Sequence, residues 1–87
     1  MRATVKNSIS AIIVTFYPDD RFFKMLRSID KQVDDIWIID NGSSGQTRTK
    51  LEDLGSDSNN SFNFILNDEN LGLAAAQNQG IREAINQ

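Results

Sequence analysis

Asp40, Asn41, Ser43 and Ser44 place a carboxylate, an amide and two hydroxyls directly behind the apolar run Ile36-Trp37-Ile38-Ile39. Such groups accept from and donate to a polar planar ligand, but the same residue types also close turns and cap helices. On composition alone the turn-and-cap reading is the ordinary one. Position argues for more. A short run of bulky residues, bounded by Asp34-Asp35 and by Asn-Gly-Ser-Ser, predicts a strand buried on both faces, as in parallel sheets. Open α/β sheets bind their ligands beyond the carboxyl ends of such strands.

Composition narrows the chemistry available. The 87 residues contain no cysteine and no histidine, which removes disulfides, zinc-thiolate sites, cysteine nucleophiles and histidine-dependent triads. Any metal would need oxygen ligands. The acid pairs Asp19-Asp20, Asp34-Asp35 and Asp68-Glu69 are available, but the first two suit helix-start and strand-entry positions. Neither a GxGxxG fingerprint nor a GxxxxGK[ST] phosphate loop is present. A net charge of −3 with interspersed signs gives no footprint for nucleic acid. The apolar runs fall far short of the ~20 residues of a spanning helix, so a soluble, cytoplasmic protein is expected. At this length one small domain is expected, with residues 1–8 as a flexible lead and 9–87 as the folded part.

Elements must bring the polar groups together. Ile9 to Phe16 predicts a first strand, and Pro18 to Gln32 a helix with Pro18 at its first position. In that helix Phe22, Leu26, Ile29 and Val33 form one apolar stripe. Ser43 or Ser44 would cap a short second helix over Gln46 to Leu54, held by Leu51 and Leu54. Gly55 to Ser61 is a polar loop, Phe62 to Asn67 a third strand, and Leu73 to about Asn86 a third helix. The order is βαβαβα, and helical crossovers of this length imply parallel strands. The strand exits Thr15-Phe16-Tyr17, Asp40 to Ser44 and Asn67 to Gly72 would then share one rim.

In the last helix Ala74, Asn78, Ile81 and Ile85 recur at spacings of four, three and four, which sets Asn78 in line with an apolar stripe. Burying that amide without partners would cost about 1–3 kcal/mol. Either Asn78 and its neighbour Gln77 bond nearby backbone or water, or they face a ligand pocket. The small residues Ala74, Ala75, Ala76 and Gly80 would let the helix approach the sheet or a ligand closely.

Three runs together carry a resemblance: Ile12-Ile13-Val14-Thr15-Phe16-Tyr17-Pro18, then Ile38-Ile39-Asp40-Asn41-Gly42-Ser43, then Asn70-Leu71-Gly72-Leu73-Ala74-Ala75-Ala76-Gln77-Asn78-Gln79-Gly80-Ile81. In this order and spacing the chain from Ile9 resembles the start of family-two, GT-A-fold glycosyltransferases, and among them the bacterial rhamnosyltransferases. The resemblance implies a three-layer αβα fold, the Rossmann-like half of a nucleotide-diphospho-sugar transferase with a mainly parallel sheet. It implies that Thr15, Phe16 and Tyr17 contact the base and ribose of a UDP- or dTDP-sugar donor. Asp40 would accept from the imide N–H of the base, with Asn41, Gly42 and Ser43 shaping its loop. Asn70 and Gly72 would turn against base and ribose, and Gln77 and Asn78 would line the donor pocket.

The chain departs from that pattern at two positions. Arginine is common in relatives where Gln77 stands, and asparagine where Tyr17 stands. The family's DXD motif, which binds Mg²⁺ or Mn²⁺, and its catalytic base would lie beyond Gln87. The resemblance therefore implies the nucleotide half of an inverting transferase, with no catalytic or metal residue of its own and no turnover alone. A full-length relative would serve a saccharide or lipid-linked acceptor in cell-surface polysaccharide synthesis, at the inner face of the membrane. A partial sheet would also expose an edge and an apolar face, which predicts self-association. Two rival readings are a stand-alone nucleotide-binding or regulatory α/β module and a receiver-like signalling domain. The second needs an acidic pair after the first strand, where this chain has Thr-Phe-Tyr-Pro.

Overall fold

The computed structural model describes residues 9–29, 33–57 and 62–86. Expectations for residues 1–8, 30–32, 58–61 and 87 fall outside them. The element order is β1 (Ser10–Thr15), α1 (Asp20–Ile29), β2 (Asp35–Asn41), α2 (Gly45–Gly55), β3 (Phe62–Asn67) and α3 (Leu73–Ile85), the predicted βαβαβα. All strands are parallel in the order β1-β2-β3.

The sheet separates two apolar layers by strand alternation. On one face Ala11, Ile13, Ile36, Ile38, Phe62 and Phe64 meet Leu26, Phe22, Ile29 and Val33 from the α1 side, with Leu54 of α2. The expected α1 stripe is thus the one that packs on the sheet, with Leu26 fully buried and Phe22, Ile29 and Val33 partly so. Fully burying a side chain such as Leu26, Ile36 or Ile38 is worth about 1.5–3 kcal/mol, so this layer holds most of the core. On the other face α3 crosses β2 and β1. Together the layers make the three-layer αβα arrangement of a Rossmann-like half.

Three expectations need correction. Pro18 is not the first residue of α1; the helix begins at Asp20 because Asp19 caps it, its Oδ1 accepting from the Arg21 amide at 3.0 Å. β2 runs on through Asp40 and Asn41, which are paired in the sheet opposite Thr15 and Asn67 and do not form an exit turn. The α3 stripe is rotated. Ala74, Asn78, Ile81 and Ile85 are exposed, while Ala76 and Gly80 are buried. A Cβ at Gly80 would stand 2.6 Å from both Ile12 Cγ2 and Ile39 Cδ1, so the smallest residues seat the helix and the largest are left outside.

Candidate functional site

The three strand exits meet, and two hydrogen-bonded clusters join them. The first is centred on Asp40, which is 0% exposed. Its Oδ1 accepts from Thr15 Oγ1 at 2.8 Å and from Ser43 Oγ at 2.7 Å, and its Oδ2 from the Ser43 amide at 2.7 Å. A buried carboxylate needs such donors. Ser43 Oγ in turn accepts the Tyr17 amide at 2.7 Å. The Tyr17 and Ser44 hydroxyls share a hydrogen bond of 2.7 Å, and the Ser44 amide donates to the Tyr17 hydroxyl at 3.3 Å. Ser44 stands at the N-cap of α2 but makes no side-chain cap bond, because its hydroxyl serves Tyr17.

Tyr17 has φ +50°, the left-handed region that non-glycine residues rarely enter. The bonds to Ser43 and Ser44 hold it there. Phe16 and Tyr17 meet edge to face at 4.8 Å and are 55% and 48% exposed, so an exposed aromatic pair is tied to the buried carboxylate's loop through Tyr17.

The second cluster is centred on Asn41. Its Oδ1 accepts the Leu71 amide at 3.0 Å and its Nδ2 donates to the Gly72 carbonyl at 3.0 Å, which fixes the β3–α3 loop against the end of β2. Asn70 turns that loop, its Oδ1 accepting the Gly72 amide at 2.8 Å. Gly42 makes the approach fit. It has φ +103°, and a Cβ there would lie 2.8 Å from the Glu69 carbonyl carbon and 2.9 Å from the Asn70 nitrogen.

Thr15, Tyr17, Asp40 and Ser43 are therefore brought into one cluster, and Asn41, Asn70 and Gly72 into a neighbouring one with Gly42 between them. Gln77 and Asn78 stand exposed on α3 and join neither cluster among the described residues. Sequence reasoning gave Arg48 and Gln79 no role and named Asn67 only as the start of the third strand exit. Arg48 Nη1 reaches the Asn67 carbonyl and Asp68 Oδ1, each at 3.4 Å, and ties α2 to the β3 exit. The available signal was strand alternation, which sets Asn63, Ile65 and Asn67 on the face that α3 covers.

The residues at the rim do not build a cradle for a divalent cation. Asp40, the one buried carboxylate there, has both oxygens committed to Thr15 and Ser43. No group of three or more His, Cys, Asp or Glu side chains converges among the described residues. Two surface hollows lie elsewhere. One of about 380 Å³ is lined by Asp20, Phe23, Arg27, Lys50, Asp53 and Leu54. The other, of about 540 Å³, is lined by Gly45, Gln46, Thr49 and Lys50. Neither touches the strand-exit clusters. No helix among the described residues is long and apolar enough to cross a membrane.

No curated protein and no solved structure gives a significant match to the chain. The family model for glycosyl transferase family 2 matches residues 10–87, which takes in all three strands and both clusters. With that span, and with the parallel αβα architecture described above, the chain belongs to glycosyl transferase family 2.

Proposed function

We propose that the chain is the donor-recognition part of an inverting sugar transferase and that it holds the pyrimidine nucleotide of a UDP- or dTDP-sugar at the joined strand exits. One observation carries the reading: a buried carboxylate and an exposed aromatic pair are joined through Ser43 where three strand exits converge. Uracil and thymine present one imide N–H, for which a carboxylate is the matching acceptor. The Ser43 hydroxyl is the movable cover. A turn of that side chain frees one of the two positions on Asp40 Oδ1 for the base, while Thr15 Oγ1 stays on the same oxygen and the Ser43 amide continues to hold Oδ2. The Phe16 and Tyr17 rings supply the apolar surface on which a base lies, and the Leu71–Gly72 backbone closes against base and ribose.

We further propose rhamnose as the sugar, on the likeness of the three runs to rhamnosyltransferases, and cell-surface polysaccharide as the product. The site would then face the cytoplasm, where nucleotide-sugars are made. In the full reaction an acceptor hydroxyl attacks the anomeric carbon and the nucleoside diphosphate departs. The groups that deprotonate the acceptor and neutralise the leaving phosphates are not among the residues of this rim.

Calorimetric titration of UDP, dTDP, CDP and ADP tests the recognition step. Cytosine offers a ring acceptor where uracil offers the imide donor, so UDP and dTDP should bind at least about tenfold more tightly than CDP, a difference of about 1.4 kcal/mol. Equal affinity for CDP or ADP would sink the reading. In the same series dTDP-rhamnose should exceed dTDP-glucose, and parity would remove the rhamnose assignment alone.

A further inference from the structure

Asn67 and Gln79 form a reciprocal amide pair that no part of the donor-site reading uses. Asn67 Nδ2 donates to Gln79 Oε1 at 2.8 Å, and Gln79 Nε2 donates to Asn67 Oδ1 at 3.0 Å. Asn67 Nδ2 also donates to Asn41 Oδ1 at 3.3 Å. Asn41 passes the constraint on, because the same Oδ1 accepts the Leu71 amide while its Nδ2 donates to the Gly72 carbonyl. The chain of contacts runs from the middle of α3, through the end of β3 and the end of β2, to the backbone of the β3–α3 loop.

Each amide in this chain fixes the orientation of the next. An amide has one accepting oxygen and one donating nitrogen with two hydrogens. Asn67 donates to both neighbours and accepts from Gln79, and Asn41 accepts twice and donates once. Reversing any one of the three would set donor against donor or oxygen against oxygen. Gln79 is half-buried and adjoins Gly80, whose lack of a side chain brings α3 close enough for the pair to form. If Gln79 served only to fill space over the sheet, an apolar side chain of the same length would do equally well.

We infer that Gln79 is a positioning residue: through Asn67 and Asn41 it sets where the Leu71–Gly72 backbone stands and so shapes the wall against which the nucleotide closes. This rests on the donor-recognition reading above, and the test separates the two. Gln79→Leu keeps the bulk and removes the hydrogen bonds. Amide hydrogen exchange at Leu71, whose N–H is held by Asn41, reports the loop directly and needs no ligand. With Asn67 and Asn41 no longer fixed by Gln79, exchange at Leu71 should speed by about tenfold while exchange at Ile38 in the sheet core is unchanged. UDP affinity should fall by about three- to tenfold, with the loss confined to the loop-facing contact. The paired exchange Asn67→Gln with Gln79→Asn keeps the summed side-chain length and should restore both readouts.

Unchanged Leu71 exchange in Gln79→Leu overturns the inference. So does a rise at Ile38 equal to that at Leu71, which would mark a general loss of stability. Where Leu71 responds as expected but the unsubstituted chain binds no UDP, the positioning of the loop stands and the donor-recognition reading fails by itself.

Discussion

At Tyr17 the backbone asks for one residue type and the sequence supplies another. The left-handed conformation at φ +50° suits asparagine, whereas a residue with a larger side chain pays about 1–2 kcal/mol to adopt it. Two hydroxyls offset that cost, Ser43 on the Tyr17 amide and Ser44 on the phenol. Tyr17→Asn should therefore be neutral or stabilising by up to about 1 kcal/mol in urea unfolding, and Tyr17→Val destabilising by about 1–2 kcal/mol. Ser43→Ala should be worse than either. It takes a donor from Asp40 Oδ1 and an acceptor from the Tyr17 amide, and leaving such groups unsatisfied costs about 1–3 kcal/mol in the same measurement. Because Asp40 is fully buried, Asp40→Ala would strand Thr15 and Ser43 together and confuse recognition with folding. Changing the base of the ligand is the cleaner test of that carboxylate.

Elements are seated here by small residues. Gly80→Ala gains about 1 kcal/mol of helix propensity, yet its methyl would have to stand 2.6 Å from Ile12 Cγ2 and Ile39 Cδ1. Overpacking of that kind costs about 1–3 kcal/mol, so the thermal midpoint should fall despite the better helix former, and a midpoint that rises would show that α3 rides higher on the sheet. The same contacts explain why the α3 face was misread from spacing. Periodicity weights Ile81 and Ile85 as the residues to bury, but a helix crossing a sheet at close range is placed by what its backbone can approach. The strands were legible from apolar runs that end at Pro18 or in polar loops, and α1 from the stripe Phe22, Leu26, Ile29 and Val33 that ends at Asp34. That the strand exits would share a rim was legible too, from the alternation of strand and helix. The partners were not. Asn41 finds Leu71 and Gly72, and Asn67 finds Gln79, only through the register Asn41↔Asn67 and the seat of α3, neither of which leaves a local signature in the sequence.

For the molecule as a whole, what remains uncovered matters as much as what is buried. Each outer strand, β1 and β3, has one neighbour among the described residues, so the sheet presents unpaired backbone at both edges. The outward side of α3 adds Ile81 at 46% and Ile85 at 75% exposure, along with Leu73 near the rim. Exposed apolar residues of this sort favour association when nothing covers them, and a net charge of −3 offers little repulsion at physiological salt. Sedimentation velocity should therefore show a weight-average mass that climbs with protein concentration. Ile81→Lys combined with Ile85→Lys should return the chain toward a monomer, and because both positions lie away from the Asp40 and Asn41 clusters, UDP affinity should be unchanged. A mass that stays monomeric up to about 100 μM, where even contacts with dissociation constants in the micromolar range would show, would mean that neither the edges nor α3 is adhesive. Loss of UDP binding in the double variant would instead mean that the outer face of α3 belongs to the donor pocket, where Gln77 and Asn78 were expected from the family resemblance.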